Sequence, residues 1–481
     1  MYKPQNHLYK LLLALFFLSV AGCRNFKNVS INAENRLPSS YDGNTDSTTI
    51  ADLPVSSFFT DPNLLRLIDT AVTANPDVLS ALQRVEIANA NLRYNRLQLL
   101  PAVDAEARAG LDKYGDYTQN GVGNYDTNLS PNINDKQRIP NPTPDYFLGF
   151  KSSWEVDLWG KLRNRKKAAF NRFLASQSGY KMVITSLTAQ IATAYYQLLA
   201  LDNELKTIRE NLVLQSNALE IVKIQKLGGR ATELAVQQFL AQLKRTKGLE
   251  YQVLQQITET ENQLNFLTGK FAQSIPRDTS INTLKLPRLL AAGVPSQLLL
   301  NRPDIKEAEF ELTALKADIK AARAAFFPSL MLSPYIGYNA FKPSVLFDPA
   351  SLTYGVLGGL TSPLFNKRLV NRAFNLALAQ SRTAVYNYQR VILTSFQEVS
   401  NSLKGIENYT QFYKQKQDEV QALNNAVSVA NDLYLVGRAN YLEVITAQRN
   451  VLDAKLELAN TKKNIFINAI NLYRAVGGGW R

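Results

Sequence analysis

The sequence predicts a mainly α protein with a small β part, built as a duplicated unit. Three observations carry this prediction. Landmarks recur at constant offsets more than two hundred residues apart. Twice, just after a proline, the apolar pattern changes from helical spacing to strict alternation. Twice a run of more than sixty residues passes without proline, with apolar residues three or four apart.

The duplication can be measured. "NPDVLSALQR" (75–84) is echoed by "NRPDIKEAEF" (301–310), with Pro76 and Pro303 separated by 227. Each proline opens a helical run, and the runs close at "LLP" (Leu99–Pro101) and "FFP" (Phe326–Pro328), again 227 apart. Proline suits the first helical position, where its missing N–H costs nothing, and Asp77 and Asp304 meet the positive end of the helix. Asn75 is a good N-cap and Arg302 a poor one. Further on, "LGGRA" (Leu227–Ala231) is echoed by "LVGRA" (Leu435–Ala439), and "NQLNFLTG" (Asn262–Gly269) by "INLYRAVG" (Ile470–Gly477), both at 208. The offset falls by 19, so the first copy holds that many extra residues. The stretch "KYGDYTQNGVGNYDTNLSPNINDKQRIPNPTP" (113–144) supplies them. It reads as loop and is longer than its counterpart around 341–350.

The strands follow the closing prolines. Val103, Ala105, Ala107, Ala109 and Leu111 alternate with Asp104, Glu106, Arg108 and Asp112. Tyr146, Leu148, Phe150, Trp154, Val156 and Leu158 alternate with Lys151, Ser153, Glu155 and Asp157. In the second copy Leu330, Leu332, Ile336 and Tyr338 alternate with Ser329, Ser333, Gly337 and Asn339. Leu352, Tyr354, Val356 and Leu360 alternate with Ser351, Thr353, Gly355 and Thr361. Each of these four strands is about as long as a bilayer-spanning strand, roughly ten residues. The charged residues on the polar faces suit a wet lumen better than a soluble sheet. Four strands in an open sheet leave two edges that lipid cannot satisfy, so a membrane role requires several chains. Three protomers give a 12-stranded barrel.

The long runs are Lys161–Lys226, with Gly179 as its one glycine, and Lys367–Val436. Seam residues are Leu205, Ile208, Leu212, Leu219 and Val222 in the first, interrupted by Gln215, and Val420, Leu423, Val427, Ala430 and Tyr434 in the second. Each ends at a "GRA" turn, where glycine is expected just past a helix. The returns, Thr232–Leu267 and Asn440–Val476, are about half as long. The short helices Pro76–Leu100 and Pro303–Phe327 make up the difference if each stacks end to end on a return helix. Residues 24–75, 270–302 and 477–481 then gather at the break as a mid-height belt.

The N-terminus reads as a targeting segment. Lys3 and Lys10 precede the apolar "LLLALFFLSV" (Leu11–Val20), too short to span a bilayer. "VAGC" then places Cys23, the only cysteine, as in a bacterial lipobox. Lipid on Cys23 anchors that end in a membrane. Removal of 1–22 takes two lysines and no acid, so the formal charge falls from +14 to +12. It also takes His7, the only histidine. His-based acid–base catalysis, Ser-His-Asp or Cys-His nucleophiles and His/Cys metal sites are thereby excluded. No motif organises the remaining carboxylates and lysines, so the expectation is no enzyme, no metal and no cofactor beyond the covalent lipid. The basic balance reads as a solvated surface, with no nucleic acid as partner.

The segments therefore read as signal peptide 1–22 and N-terminal anchor and equatorial segment 23–75, followed by the first repeat 76–269 with its hairpin at 102–158. An equatorial connector 270–302, the second repeat 303–476 with its hairpin at 329–364, and the tail 477–481 complete the chain.

Six stretches together resemble the TolC-type outer-membrane efflux proteins, in their lipoprotein branch. They are "FFTDPNLLRLIDTAVTANPDV" (Phe58–Val78), "SWEVDLWGKLR" (Ser153–Arg163), "GVPSQLLLNRPDIKEAE" (Gly293–Glu309), "AARAAFFPSL" (Ala321–Leu330), "ANYLEVITAQRNVL" (Ala439–Leu452) and "LYRAVGGGW" (Leu472–Trp480). The resemblance implies a homotrimer in the outer membrane of a Gram-negative bacterium. Its long helices form a coiled-coil α-barrel crossing the periplasm, and its strands a twelve-stranded β-barrel. It implies a passive exit duct joined to an inner-membrane pump of the RND type through a periplasmic adaptor, or membrane fusion, protein. The adaptor would touch the helical tips, here Gly228, Gly229, Arg230 and Ala231, with Gly437, Arg438, Ala439 and Asn440. Some relatives carry Asp where this chain has Ala439, so an acidic gate there is in doubt, and Asp432, Tyr434 and Arg438 are the nearby gate candidates. Trp154, Trp159 and Phe365 suit either an aromatic girdle or packing between barrel and helices. The competing functions are a duct for type I protein secretion or metal-ion export, and a non-transporting coiled-coil lipoprotein scaffold.

Overall fold

The computed structural model describes residues 38–41, 46–278, 280–284, 291–362 and 367–481; these fall in one compact unit. Cys23 and Phe365 lie outside the described residues. The elements, in chain order, are α1 (Pro62–Ala74), α2 (Pro76–Leu97), β1 (Ala102–Asp112), α3 (Gln119–Leu129), β2 (Thr143–Val156), α4 (Lys161–Leu227), α5 (Glu233–Leu267), α6 (Pro303–Ala324), β3 (Ser329–Ala340), β4 (Leu352–Thr361), α7 (Lys367–Leu435) and α8 (Tyr441–Ala475). The fold is mainly helical with a small sheet, and the element order of one half repeats in the other. One element departs from the sequence reading: α3, an 11-residue helix, lies inside the stretch 113–144 read as loop. Its composition, rich in Asn and Gly, hides it. What fixes it is Thr118, whose hydroxyl caps the Gly121 N–H, together with tertiary bonds described below.

The short helices stack on the return helices through equivalent residues. Asn75 caps α2 by accepting from the N–H groups of Asp77 and Val78, and its amide donates to the Leu267 carbonyl at the end of α5 (2.9 Å). Arg302 makes no cap, as expected of arginine, but its guanidinium donates to the Ala475 carbonyl at the end of α8 (2.7 Å). Asn75 and Arg302 are 227 apart, and Leu267 and Ala475 are 208 apart, so both junctions are the same joint. Each chain crossing is so close that a Cβ on Gly269 would meet the Ala74 carbonyl at 2.7 Å, and one on Gly477 the Asn301 carbonyl at 2.6 Å.

Around the wall the order is α2 stacked on α5, then α4, then α6 stacked on α8, then α7. At about 1.5 Å per residue, the 67 residues of α4 and 69 of α7 run roughly 100 Å. The largest core sits at the joints. Tyr195, Leu198 and Leu199 of α4 and Ile470, Leu472 and Tyr473 of α8 pack against Phe58, Phe59, Leu64 and Ile68 of the belt. Tyr473 stacks on Phe58 with centroids 4.1 Å apart and donates to the Leu53 carbonyl (2.6 Å). Tyr195 donates to Asp61, the residue that caps α1 (3.0 Å), and burial pushes the Tyr195 phenol well above its usual range.

The four strands form one antiparallel sheet in the order β1-β2-β3-β4. The sheet order continues the helix order, since α2 leads into β1, β2 into α4, α6 into β3 and β4 into α7. Trp154 donates to the Leu99 carbonyl (3.1 Å). Trp159 donates to the Pro328 carbonyl (2.7 Å) and stacks on Phe327. The two tryptophans therefore tie strand ends to the closing turns of the short helices, which favours packing over a girdle.

Candidate functional site

The register divides the sheet into two unlike faces. Directly opposed residues share a face, so Ala105, Phe150, Ile336 and Tyr354 line up across all four strands, as do Ala107, Leu148, Tyr338 and Leu352. This face is apolar and exposed: Phe150, Ile336, Tyr354 and Val356 are each more than half accessible. A contiguous exposed apolar band of this kind marks a surface that meets something other than water.

The opposite face carries charge. Glu106 pairs with Lys151 (2.6 Å), Arg108 with Asp145 (2.7 Å), and Asp145 accepts from Asn339 (2.7 Å). Between these groups Phe147 lies flat, with Lys151 5.0 Å and Arg108 5.9 Å from its ring centre. The ring covers the cross-strand pair Gly149 and Gly337, where a Cβ on either would come within 3.0 Å of it. The sequence pattern found the charges of this face but not Phe147, an apolar residue in a polar register.

Among the described residues both edges of the wall are open, in the sheet and in the helices. β1 and β4 pair on one side each among the described residues. The helices repeat the pattern. α6 lies side by side between α4 and α7, whereas among the described residues its counterpart α2 has a long helix of the wall, α4, on one side only. The side chains record the missing neighbour. Ala314, Ala321 and Ala324 of α6 are buried, while the residues at the equivalent positions of α2, Ile87, Tyr94 and Leu97, are each about 60% exposed. At the other edge α7 exposes Leu369, Leu376, Tyr386 and Leu393. The last residue of α7 that the single chain buries is Ser402, and its lower seam residues Val420, Leu423 and Val427 are half-buried.

Away from the sheet, the two helical hairpins end in matching turns. Gly229 (φ +73°) and Gly437 (φ +75°) take the left-handed conformation. At each turn the following N–H reaches back to the helix, from Arg230 to the Gln225 carbonyl and from Arg438 to the Leu433 carbonyl (both 2.8 Å). Thr232 then caps α5 and Asn440 caps α8 in a capping box with Glu443. Nothing lies within 4 Å of a Cβ built on Gly229 or Gly437, so only backbone conformation requires glycine there. Replacing either by Ala is expected to cost about 1 kcal/mol. Gly228 has negative φ and its counterpart is Val436, so Gly228→Ala is expected to be neutral. Heat-induced loss of helical circular dichroism for the three single variants checks the ranking.

The predicted tip residues divide by environment. Gly228, Gly229, Arg230, Gly437, Arg438 and Asn440 are exposed, and Ala231 and Ala439 half-buried. Of the gate candidates, Asp432 and Arg438 are exposed. Tyr434 instead packs into a small core of Leu219, Val222, Phe239 and Val444 that joins the two hairpins, and burial raises its phenol pKa. Just above this core Gln215, the residue that interrupts the seam, is buried, and neither of its amide atoms has a hydrogen-bond partner among the described residues. Ile224, Leu227, Leu234, Leu435 and Val436 crowd the tips with exposed apolar surface, which the glycine motif alone does not announce.

Midway along the wall α4, α5 and α8 line an open, mostly polar cleft of about 290 Å³, whose polar groups come from Gln197, Glu204, Gln256, Asn460 and Lys463. Glu204 accepts from Asn460 (2.8 Å). Burial raises its carboxyl pKa, and Lys463 opposes that shift. Among the described residues no group of three or more His, Cys, Asp or Glu is placed to hold a metal ion, and no helix is long and apolar enough to cross a membrane.

The family model for outer membrane efflux proteins matches residues 67–270 and 294–478. The solvent efflux pump outer membrane protein SrpC of Pseudomonas putida is 30% identical over 444 residues, covering 92% of this chain and 91% of that protein. The cation efflux system protein CusC of Escherichia coli O6:H1 is 29% identical over 430 residues, covering 88% of each. Among solved structures, a membrane protein from Pseudomonas aeruginosa superposes with a TM-score of 0.82 at 28% identity, covering 92% of this chain and 98% of that one.

Proposed function

The chain belongs to the outer membrane efflux protein family, and from that premise we propose that it is the exit duct of a tripartite efflux system. Small molecules pass through it from periplasm to exterior. The observation that carries the reading is the open wall. A sheet with one apolar and one charged face, and with both edges free, satisfies lipid only when its edges are paired. Head-to-tail contact of the α7–β4 edge with the α2–β1 edge of the next copy is heterologous and closes as a ring. Three copies of four strands make twelve, with the apolar band to lipid and the Glu106–Lys151 face to the lumen.

Lipid on Cys23 adds a second hold on the outer membrane. Cys23→Ser is expected to abolish palmitate labelling of the protein, read by metabolic labelling and immunoprecipitation, while a retained label contradicts lipidation there.

The lower end of the duct meets a periplasmic adaptor, which couples it to an inner-membrane pump of the RND type. What supports this docking site is the exposure of Arg230 and Arg438 amid the apolar tip residues, on turns whose conformation does not depend on those side chains. Asp432 and Arg438, exposed in the single chain, are the side chains available for contacts between neighbouring tips at the gate. Charge reversal at both arginines (Arg230→Glu with Arg438→Glu) is expected to lower adaptor recovery at least tenfold in pull-downs from crosslinked cells, with trimers retained. Unchanged recovery contradicts the tip as docking site. The pump found in the same pull-down identifies whether organic solutes, metal ions or proteins are exported.

A further inference from the structure

The extra residues of the first repeat include a hydrogen-bonded helix that the duct reading leaves without a role. Helix α3 lies at the end of the sheet farthest from the helical wall, between β1 and β2. Its anchors are on one side. Asn124 donates to the Thr143 hydroxyl (3.3 Å), and Asn128 exchanges two bonds with the Ile139 backbone, at 2.9 and 2.8 Å. Lys342 donates to the Asp135 carbonyl (2.7 Å), which ties the same loop to the second hairpin. Thr143 stands in the register of Asp145 and Lys151, so the helix is fastened to the charged face of the sheet, the lumen side.

At 100° per residue, Val122, Tyr125 and Leu129 fall within about 60° of one another; Asn124 lies about 100–160° from them, and Asn128 borders their face about 60° from Tyr125. All three are exposed, between 50% and 67%. An anchored helix that turns three large apolar side chains to water has an unpartnered face. Its only charged residue is Asp126, so copies of it can converge without much repulsion. The hairpin that carries it includes β1, the strand at the edge between copies.

We propose that the α3 helices of neighbouring copies meet over the outer mouth of the barrel, with Val122, Tyr125 and Leu129 of each packed against those of the next, and narrow the exit. The proposal rests on the duct reading: the partner is a second copy of this chain, brought there by ring closure. Escape of cargo then requires the helices to part, and the mouth becomes a second constriction in series with the tips.

A single introduced thiol tests this. Cys23 is the only native cysteine, and the unsubstituted chain sets the background. Tyr125→Cys, oxidised on intact cells with an impermeant reagent, is expected to give covalent dimers. In planar bilayers the oxidised protein should conduct severalfold less than the same sample after reduction. Asn120→Cys, also exposed but about 160° around the helix from Val122, is expected to give neither effect. Absence of dimers from Tyr125→Cys, or equal dimer yield from Asn120→Cys, overturns the lid while the reduced channel still conducts. No conductance from any variant or from the native chain overturns the duct reading beneath it.

Discussion

Replacing Arg302 by alanine is expected to be the most damaging single change in the helical part. The Arg302 side chain is only 4% exposed and its guanidinium serves three partners. It bonds to the Ala475 carbonyl, pairs with Asp304 (2.6 Å) and pairs with Glu398 of α7 (2.8 Å). Glu398 also receives Arg474 of α8 (3.0 Å), so one network pins the start of α6, the end of α8 and the middle of α7. Burial works against the arginine charge, but the bonds to Asp304 and Glu398 prevail and hold its pKa above the usual value. Removing the arginine leaves the half-buried Asp304 without its ion partner, Glu398 with Arg474 alone and the Ala475 carbonyl without its donor, a loss of about 3 kcal/mol, the lower end for breaking a buried pair. The equivalent change in the first repeat, Asn75→Ala, loses a cap and one amide bond, about 1–2 kcal/mol. The midpoint of heat-induced loss of helical circular dichroism should therefore fall much further for Arg302→Ala than for Asn75→Ala. Equal shifts, or the reverse order, contradict the role given to the second joint.

The second large effect is on assembly. Ile87→Asp, Tyr94→Asp and Leu97→Asp each place a carboxylate on the exposed edge of α2, which the next copy covers. In the single chain these side chains already face water, so the isolated fold should tolerate the changes. In the ring each buried large apolar side chain contributes about 1.5–3 kcal/mol, and every substitution is repeated at each interface around the ring. Loss of ring closure also exposes both sheet edges to lipid. The expected outcome is helical but monomeric protein on size-exclusion chromatography and complete loss of efflux in cells. A normal assembly with all three substituted contradicts the proposed edge contact.

Much of this architecture was legible because it follows from periodicity and position. Pro76 and Pro303 announce the joints, Gly229 and Gly437 the tips, and alternation assigns most strand residues to their faces, with Phe147 the exception and with Asp157 and Leu158 beyond the end of β2. Other features depend on partners distant in sequence. By sequence Arg302 is a poor cap, and its buried role depends on Glu398 and Ala475. The constant offsets held the clue, since Asn75 and Arg302 occupy one structural position and solve the same joint with different chemistry. Helix α3 escaped because its asparagines and glycines favour turns, and its order comes from Thr143 and Ile139 rather than from propensity. Ile87, Tyr94 and Leu97 carry no signal of their own in the sequence; the burial of Ala314, Ala321 and Ala324 at the same positions of the second repeat identifies them as an edge.

One chain is an open wall, and on the duct reading it conducts only when several copies close into a ring. The most direct test is to purify the protein in detergent, measure the mass of the particle, and record its ion conductance in a planar lipid bilayer. Three chains per particle and stepwise conductance are predicted. A monomer without conductance contradicts ring closure and the duct.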